Sequence, residues 1–386
     1  MSNEIRVSQR GALRWARQHP WIFASDVIRE EGPPGIVVVS DQRGKRLGIA
    51  LYSPRSEIRL RLLDRRADAT IDADWWTARI RDAHQRRSGI DATAYRVVHG
   101  EGDGLPSLII DRYDRWIAAQ LLSAGLETCR ADILTAIDRV LNPAGILLRN
   151  DAPVRRHEGL AEEIEVAAGE VPEEVEVREG PIGYLVPLRT GQKTGAFLDQ
   201  RSNRMRAAAA MPDGGTGLDC FSYHGSFALH LARRASRVVA LDVSGEALAR
   251  GRRNAELNGF GNLEWREADV FDALREMDRA RERFDVVVVD PPAFAKSKAS
   301  IPKALRGYKD INLHAMRLVR PGGTLISASC SFHVRWPDFL TMVGDAAADS
   351  GRRVTMLDHL PQPVDHPEIV TVPETGYLKG VVLRID

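Results

Sequence analysis

The sequence predicts an α/β protein in which a mostly parallel sheet, covered by helices, follows a small β-rich module and a central α+β domain. Three observations support this prediction. The chain has 386 residues, more than one domain usually contains. Short strand-like runs separated by Gly, Pro and charged turns come first, whereas strand-like and helix-like runs alternate after Met211. The later strand-like runs are apolar throughout, which is typical of strands buried on both faces.

Residues 1–70 are predicted to form the β-rich module. The runs GIVVVS and RLGIALYS have the length and β-branched content of strands. In SEIRLRLLDR, the apolar Ile58, Leu60 and Leu62 alternate with arginines, the pattern of a half-buried strand. The run DADWWTARIRDAHQRRSGI then predicts a helix that ends at Gly89 and leads into the next domain.

Residues 71–180 are predicted to form the central domain and residues 181–386 the third domain. The central domain has an amphipathic helix, LETCRADILTAIDRVLN, and the strand candidates YRVVHG, SLIIDRY, RWIAAQLL and GILLRND. An acidic stretch, residues 158–179, is expected to form a surface hairpin or loop. The run REGPIGYLVPL then restarts β structure.

The third domain carries the alternating pattern. Its helix candidates are SFALHLARRA and GEALARGRRNAELNG, and its strand candidates are GTGLDCF, RVVALDV, NLEWREADV, FDVVVVD and GTLISASC. Two later runs, RVTMLDHL and YLKGVVLRI, are predicted to close the sheet as edge strands. Ligands of such sheets bind beyond the carboxyl ends of the strands, so the residues there are the candidates for a site.

Composition excludes several classes of protein. No apolar run is long enough for a membrane span, and the first residues lack the apolar region of a secretory signal. The three cysteines are widely spaced without a CxxC pair, so we expect no disulfide framework, no metal site and a cytoplasmic location. The net charge is +1, but residues 1–66 hold thirteen Lys and Arg against seven Asp and Glu. This surplus indicates either a surface for a polyanion or a solvated basic face.

The loops after the first three strands favour a nucleoside ligand without a pyrophosphate. The run LDCFSYHGSFALH has only Gly225 where dinucleotide-binding folds have GxGxxG, which disfavours NAD and fits S-adenosylmethionine. Asp242 ends the second strand, where a carboxylate can accept both hydroxyls of a ribose or can simply be a strand-end or N-cap residue. Asp269 ends the third strand, where an acid could accept from an adenine amino group.

The fourth and fifth strands bring the two residues that suggest chemistry. Asp290 emerges from an apolar strand into DPPAF, where two prolines make a rigid turn. Cys330 follows the fifth strand in SASCSFH, where it is either a packed apolar residue or a nucleophile. Because these strands are neighbours in the usual order of such sheets, we expect Asp290 and Cys330 to face one cleft.

With these residues in place, the sequence resembles the class I S-adenosylmethionine-dependent methyltransferases. It is most similar to the bacterial family that methylates cytosine C5 in large-subunit (23S) ribosomal RNA. The resemblance rests on RTGQKTGAFLDQR, LDCFSYHGSFALHLA, ALDVSGEALARGRRNAELNG, VVVVDPPAFAKSK, GYKDINLHAMRLVRPGG, SCS and GYLKG. The run ALRWARQHPWIFASDV is similar to that family's RNA-binding PUA domain. The resemblance implies a Rossmann-like fold with a mostly parallel seven-stranded sheet.

The resemblance also implies a set of site residues. Cys330 would be the nucleophile and Asp290 would assist it at the catalytic centre. The methionine end of S-adenosylmethionine would meet Asp199, Gln200 and Arg201. The other implied cofactor contacts are Phe221, Ser222, Tyr223, Gly225, Ser226, Asp242, Val243, Asp269, Val270, Asp290 and Pro291.

The chemistry of cytosine supports the role of Cys330. Carbon 5 is a poor nucleophile until a thiolate adds to C6 and makes it enamine-like. The DPPAF loop has no second cysteine to help release the product, so the base that removes the C5 proton stays unassigned, and His333 is a candidate only. Ala293 follows the prolines where enzymes that methylate amines have an aromatic residue, with Phe294 one position later. This difference disfavours amine methylation.

The expected partner is ribosomal RNA, free or in an assembling large subunit, without a membrane. Whether the chain forms a homodimer stays an open question. Five cations in loops near the proposed cleft could hold RNA phosphates or form a solvated rim: Lys193, Lys296, Lys298, Arg306 and Lys309. Two alternatives also stay open. One is methylation of a guanine ring nitrogen, for which Cys330 is incidental; the other is a non-catalytic RNA-binding assembly factor.

Overall fold

The computed structural model of the chain describes residues 4–295 and 297–386, which fall into two units. The first unit runs to Val177 and adds Val186–Leu198 and Val364–Thr375. The second unit comprises three stretches, Arg178–Leu185, Asp199–Pro363 and Gly376–Asp386. Each unit is therefore assembled from separated stretches of sequence. The three-domain division at residues 70 and 180 stays a prediction.

The first part of the first unit is a six-stranded sheet with one helix. Its elements are β1 (Glu4–Val7), α1 (Gln9–Ala16), β2 (Trp21–Phe23), β3 (Val27–Arg29), β4 (Gly35–Ser40), β5 (Arg46–Tyr52) and β6 (Ile58–Asp64). The strand order is β2-β6-β5-β4-β1-β3, and only β1 and β4 pair in parallel. Trp15 of α1 packs with Ile5, Val39 and Leu60 of the sheet, which gives this small module its own core.

The second part of the first unit is a five-stranded sheet in the order β11-β10-β9-β8-β7. Its elements are α2 (Ala73–Gln85), β7 (Ala94–His99), β8 (Leu108–Tyr113), β9 (Trp116–Leu121), α3 (Ala124–Glu127), α4 (Arg130–Leu141), β10 (Gly145–Asn150), α5 (Val154–Glu158) and β11 (Glu163–Gly169). Trp76 and Ile80 of α2 and Ile133 of α4 pack on Ile110 and Ile146 of the sheet.

Two helices differ from their predicted form. Helix α2 ends at Gln85 rather than Gly89, because the N–H of Arg87 bonds the His84 carbonyl three residues back and its guanidinium turns inward. The single amphipathic helix is divided into α3 and α4. The Thr128 hydroxyl bonds the Gly125 carbonyl at 2.8 Å, and the helix begins again after Cys129, which is buried in the core as predicted.

The acidic stretch is also more ordered than predicted. It contains β11 and β12 (Glu174–Glu179), which belong to different sheets. Both ends of the stretch are buried, because arginines neutralise them: Glu158 accepts from Arg61 at 2.9 Å, and Glu179 accepts from Arg204 at 2.6 Å. A charge count along the sequence cannot show such pairs, because their members lie far apart in the chain.

The rest of the chain alternates strands with helices, as predicted. After β13 (Ile182–Pro187), which pairs with β12, the elements are α6 (Arg201–Ala210), β14 (Thr216–Cys220), α7 (Ser226–Ala232), β15 (Arg237–Asp242), α8 (Gly245–Leu257), β16 (Leu263–Glu267), α9 (Val270–Arg279), β17 (Phe284–Val289), α10 (Ile301–Leu318), β18 (Val319–Ser329), α11 (Trp336–Ser350), β19 (Val354–His359) and β20 (Lys379–Ile385).

These strands form the predicted seven-stranded, mostly parallel sheet in the order β16-β15-β14-β17-β18-β20-β19. Strands β14 to β18 pair in parallel, whereas β20 runs antiparallel between β18 and β19. The prediction that both terminal strands are edge strands is therefore wrong for β20. The strand order reverses beside β14, and ligands of open α/β sheets bind at such a point.

The sheet is buried on both faces. Alternate residues of β17 enter different cores: Val287 and Val289 pack with α9, α10 and α11, whereas Val286 and Val288 pack with α6 and α7. This explains why the strand reads as an uninterrupted apolar run in the sequence. Among the described residues, no helix is both long and apolar enough to cross a membrane.

Candidate active site

The loop after β14 has an unusual backbone. Phe221 (φ 62°), Tyr223 (φ 51°) and Gly225 (φ 82°) all adopt left-handed conformations, which cost a non-glycine residue about 1–2 kcal/mol. The N–H of Ser222 bonds the Leu241 carbonyl at 2.8 Å, so the neighbouring strand end holds the loop in place. Strain of this kind persists where the surrounding structure fixes it, and it is common at binding sites.

Asp242 links this loop to the end of β15. One carboxylate oxygen accepts from the N–H of Tyr223 at 2.8 Å, and the other accepts from the N–H of Ser244 at 2.9 Å. Ser244 is the N-cap of α8, so the N-cap alternative is wrong for Asp242. Each oxygen retains a lone pair for a further donor, such as a ribose hydroxyl. Val243, beside it, is exposed.

Asp269 has a clear structural role. Its side chain accepts from the N–H groups of Phe271 and Asp272 and caps α9, and Val270 is buried in the core. Capping alone accounts for an aspartate at this position. Contacts of Asp269 and Val270 with an adenine stay predictions.

Several buried polar atoms lack a hydrogen-bond partner at this end of the sheet. Among the described residues they include Oδ1 of Asp219, Oγ of Ser222 and Oδ1 of Asn203. Burial, together with the charges of Asp290 and Asp242, raises the pKa of Asp219 well above its usual range. Buried polar groups are normally bonded, so these atoms fit a polar ligand such as the methionine part of S-adenosylmethionine. The residues present therefore suit this cofactor.

Asp199 and Gln200 connect the start of α6 to the end of β17. The Gln200 amide donates to Asp290 at 2.8 Å, and Asn203 donates to Gln200 at 2.6 Å. The Tyr377 hydroxyl donates to Asp199 at 2.6 Å. Arg201, the first residue of α6, is buried. The structure thus joins Gln200 to Asp290, which lies 90 residues later in the chain, while the adjacent Asp199 is held by Tyr377.

Cys330 directly follows β18, and Asp290 directly follows β17. Because Val289 pairs with Ser327 in this parallel ladder, the two residues emerge at the same edge of the sheet. The Cys330 thiol lies 3.9 Å from the carbonyl oxygen of Pro291. Cys330 is partly exposed, whereas the other two cysteines are buried. Asp290 and Cys330 therefore emerge at neighbouring strand ends, and their facing one cleft stays a prediction.

The other thiols are poor nucleophiles. Burial raises the pKa of Cys129 to about 11, and burial with the nearby Asp219 raises the pKa of Cys220 well above its usual range. A thiol reacts as its thiolate, so these two cysteines are inert at neutral pH. Cys330 alone combines exposure with a position at the strand ends.

Two hydrogen bonds of Ser331 join the loops that carry these residues. Its hydroxyl accepts from the N–H of Ala295 at 3.1 Å and bonds the Tyr308 hydroxyl at 2.8 Å. Phe294 packs beside Tyr308 with ring centroids 4.7 Å apart, and Phe221 and Phe271 complete the aromatic cluster. Phe294 therefore has packing partners of its own.

Sequence comparison decides the family. The S-adenosylmethionine-dependent methyltransferase family matches residues 95–384. The chain belongs to this family. A PUA-like domain matches residues 5–65, the six-stranded module, so both expected domain types are confirmed. The methyltransferase accordingly uses S-adenosylmethionine as its cofactor.

Relatives of the methyltransferase share its whole length. It is 43% identical to "Ribosomal RNA large subunit methyltransferase I" of Aeromonas hydrophila, over 100% of both chains. It is 40% identical to the protein of the same name from Vibrio cholerae, over 96% of both chains. A solved methyltransferase structure from Streptococcus mutans covers 100% of both chains with a TM-score of 0.83 and 21% identity, which supports the fold.

The predicted RNA-binding cations differ in their surroundings. Lys298 and Arg306 of the methyltransferase are exposed, whereas Lys309 pairs with Asp349 at 2.7 Å. Arg306 and Lys309 lie on α10, so the prediction that they lie in loops is wrong for these two. In the first unit, the Lys193 ammonium lies 4.7 Å from the centre of the Phe197 ring. Lys296 lies outside the described residues. His333 is half-buried and packs edge-on against Phe332. No group of three or more His, Cys, Asp or Glu side chains in the described part of the methyltransferase could hold a metal.

A buried ion pair gives a stability prediction. Arg204 donates two hydrogen bonds to Glu179, at 2.6 and 2.8 Å, with both side chains buried. Burial alone would raise the pKa of Glu179, but Arg204 holds it well below its usual range. Arg204→Met removes the main counter-charge of a buried carboxylate and leaves it only His230, 3.1 Å away, so we expect about 3–5 kcal/mol less unfolding free energy in urea at neutral pH.

The double variant Glu179→Met/Arg204→Met is the control for this prediction, because it removes both charges and is expected to lose less stability. In the unsubstituted protein the contribution is present above the ordinary glutamate pKa and is lost as the pH falls towards the depressed value. An Arg204→Met variant as stable as the double variant or the parent would contradict the prediction.

Proposed function

We propose that this methyltransferase methylates carbon 5 of a cytosine in the RNA of the large ribosomal subunit, with Cys330 as the nucleophile. The names of its full-length relatives support ribosomal RNA as the substrate. The choice of carbon 5 as the methylated atom rests on the Cys330 thiol, which is partly exposed and lies 3.9 Å from the Pro291 carbonyl. Methylation of a guanine ring nitrogen needs no cysteine at this point.

The proposed reaction begins when the Cys330 thiolate adds to C6 of the cytosine. The ring electrons then make C5 nucleophilic, so that C5 could take the methyl group from the sulfonium of S-adenosylmethionine; the S–CH3 bond would break and S-adenosylhomocysteine would leave. Loss of the C5 proton to a base restores the double bond and expels the Cys330 thiolate. The methyl replaces one hydrogen, so each turnover releases one proton from C5.

Asp290 is proposed to orient the base. Its carboxyl group lies at the end of the strand beside Cys330, where it can bond the N3 and N4 edge of the cytosine. The Gln200 amide donates to Asp290 at 2.8 Å and so fixes the orientation of its carboxyl group. A fixed carboxyl group can stabilise charge that develops on the ring during the addition.

The cofactor is proposed to lie along the ends of β14, β15 and β16. Asp242 has lone pairs for the ribose, and the left-handed loop at Phe221–Gly225 brings backbone close to the ligand. The unpartnered Asp219, Ser222 and Asn203 atoms suit the methionine part. Asp199 and Arg201 are proposed to lie near the same end, Ser226 and Pro291 to line the pocket, and Asp269 to meet the adenine.

The PUA-like module and the exposed Lys298 and Arg306 are proposed to bind RNA phosphates. We propose that the substrate is 23S RNA, either free or in an assembling subunit, and that the protein therefore acts in the cytoplasm. Mass spectrometry of ribosomal RNA from a strain without the protein would identify the lost methyl. Sedimentation of the purified chain would test for a homodimer.

Trapping with 5-fluorocytosine tests the proposed chemistry. Fluorine replaces the C5 hydrogen, so after methyl transfer no proton can leave and the enzyme stays bound to RNA through Cys330. We expect a stable adduct that mass spectrometry locates on the Cys330 peptide. Cys129→Ala is the control, because it removes a buried thiol and should still form the adduct. Absence of an adduct while unsubstituted RNA is methylated would favour a ring-nitrogen target.

A further inference from the structure

A buried lysine lies beside the loop that follows β18 and carries Cys330 and Ser331, called here the cysteine loop. Lys379 is the first residue of β20 and pairs with Ser329, the last residue of β18, so it lies across the ladder from the residue before Cys330. Its Nζ donates to the carbonyl oxygens of Ser331 and Tyr377, at 2.8 and 2.5 Å. Lysine is almost never fully buried, and placing it here has a cost in desolvation.

We propose that Lys379 is a positioning residue for Cys330. The Lys379 ammonium group fixes the cysteine loop and supplies the positive charge that favours the Cys330 thiolate. The inference rests on the proposed function, because it concerns the nucleophile of that reaction. It deepens that function by assigning the group that prepares the thiol.

Hydrogen bonds fix the backbone on both sides of the thiol. Before it, Ser329 is held in the ladder opposite Lys379. After it, the Ser331 carbonyl accepts from Lys379, and the Ser331 hydroxyl bonds Ala295 and Tyr308. Cys330 therefore lies between two anchored residues, and Lys379 contributes to both anchors.

The charges around Cys330 explain why a cation is needed. Asp290 directly follows β17, the strand beside β18, and a negative charge there opposes a thiolate at Cys330. Tyr308 on α10 stays neutral, since burial raises its pKa. His333 lies on the same loop and is half-buried. Lys379 on β20 brings a cation from the opposite strand, at a position where the surrounding low dielectric strengthens its effect.

The pH dependence of Cys330 alkylation by iodoacetamide tests this proposal. The rate on the Cys330 peptide is measured by mass spectrometry on the full chain, without RNA or cofactor. Lys379→Gln retains hydrogen-bond donors but removes the charge. We expect its midpoint to rise by about one pH unit, so that the rate at pH 7 falls about ten-fold, while the plateau at high pH is unchanged.

Two further variants separate charge from structure. Lys379→Arg keeps the charge and should keep the parent midpoint, whereas Lys303→Met removes an exposed lysine of α10 and should change nothing. An unchanged midpoint in Lys379→Gln, or an equal shift in Lys379→Arg, overturns the proposal. A lowered plateau with an unshifted midpoint also overturns it, since that change reports structure alone.

The unsubstituted protein gives a second measurement that does not depend on a folded variant. Its Cys330 midpoint should lie below about 8.5, the ordinary cysteine value, despite the neighbouring carboxyl group. A midpoint at or above that value contradicts the proposal. Because alkylation needs no RNA, the experiment is independent of the proposed reaction: methylation retained after Cys330→Ala would refute the nucleophile, whatever the alkylation profile shows.

Discussion

Cys330→Ala is expected to abolish methyl transfer to RNA, with a rate at least about a thousand-fold below that of the parent. Without the thiol no covalent bond to C6 forms, and C5 stays a poor nucleophile. The Kd for S-adenosylmethionine, measured by calorimetric titration, should stay within about two-fold, because Cys330 is not among the proposed cofactor contacts. The combination of lost turnover and retained cofactor binding identifies a nucleophile.

Cys129→Ala is the matched control for this variant. Cys129 is buried between α3 and α4 and its pKa is raised to about 11, so its removal should leave turnover unchanged. Substantial methylation by Cys330→Ala would show that the cysteine is incidental and would support a ring-nitrogen target. Loss of cofactor binding together with activity would instead show that the substitution disturbs the pocket.

Gly225→Ala is expected to have the largest effect on the cofactor site. A Cβ at this position would lie 2.4 Å from the Trp265 ring, and the residue has a φ of 82°. Left-handed strain costs alanine about 1–2 kcal/mol, and overpacking costs about 1–3 kcal/mol. We therefore expect the unfolding free energy to fall by about 2–5 kcal/mol. The displaced loop should also weaken S-adenosylmethionine binding at least about ten-fold.

Gly259→Ala separates the two causes. Gly259 also has a left-handed backbone, with a φ of 68°, but an added Cβ would meet nothing within 4 Å. In this control the unfolding free energy should fall only by the left-handed strain, about 1–2 kcal/mol, and the cofactor should bind normally. Equal losses in both variants, by urea unfolding and titration, would mean that the contact with Trp265 is unimportant.

Much of the second unit could be predicted because its signals are local. Each parallel strand is an apolar run that ends at a polar residue, and parallel neighbours end at the same edge of a sheet. Asp290 and Cys330 follow adjacent strands, so their proximity needed only the usual strand order. Gly225 was recognisable because a single glycine stands in a short loop between a strand and a helix.

The rest depends on pairings between distant residues. Lys379 lies beside the cysteine loop only because β20 inserts between β18 and β19. The sequence of β20 instead predicts an edge strand that closes the sheet. Asp219 belongs to an apolar run, and its burial, its unpartnered Oδ1 and its raised pKa can be seen only in the folded structure. The acidic stretch reads as a surface because Arg61 and Arg204, which neutralise its ends, lie outside it. Charge counted along a chain cannot show such contacts.

Release of hydrogen from C5 tests the central claim most directly. RNA carrying [5-³H]cytidine is incubated with the enzyme and S-adenosylmethionine, and tritium in water is compared with methyl groups on RNA. Addition of Cys330 to C6 followed by methylation at C5 must release one tritium for each methyl at a labelled target cytosine. We predict this one-to-one ratio, and no release with Cys330→Ala. Methyl transfer to RNA without tritium release would place the methyl on another atom and contradict the account.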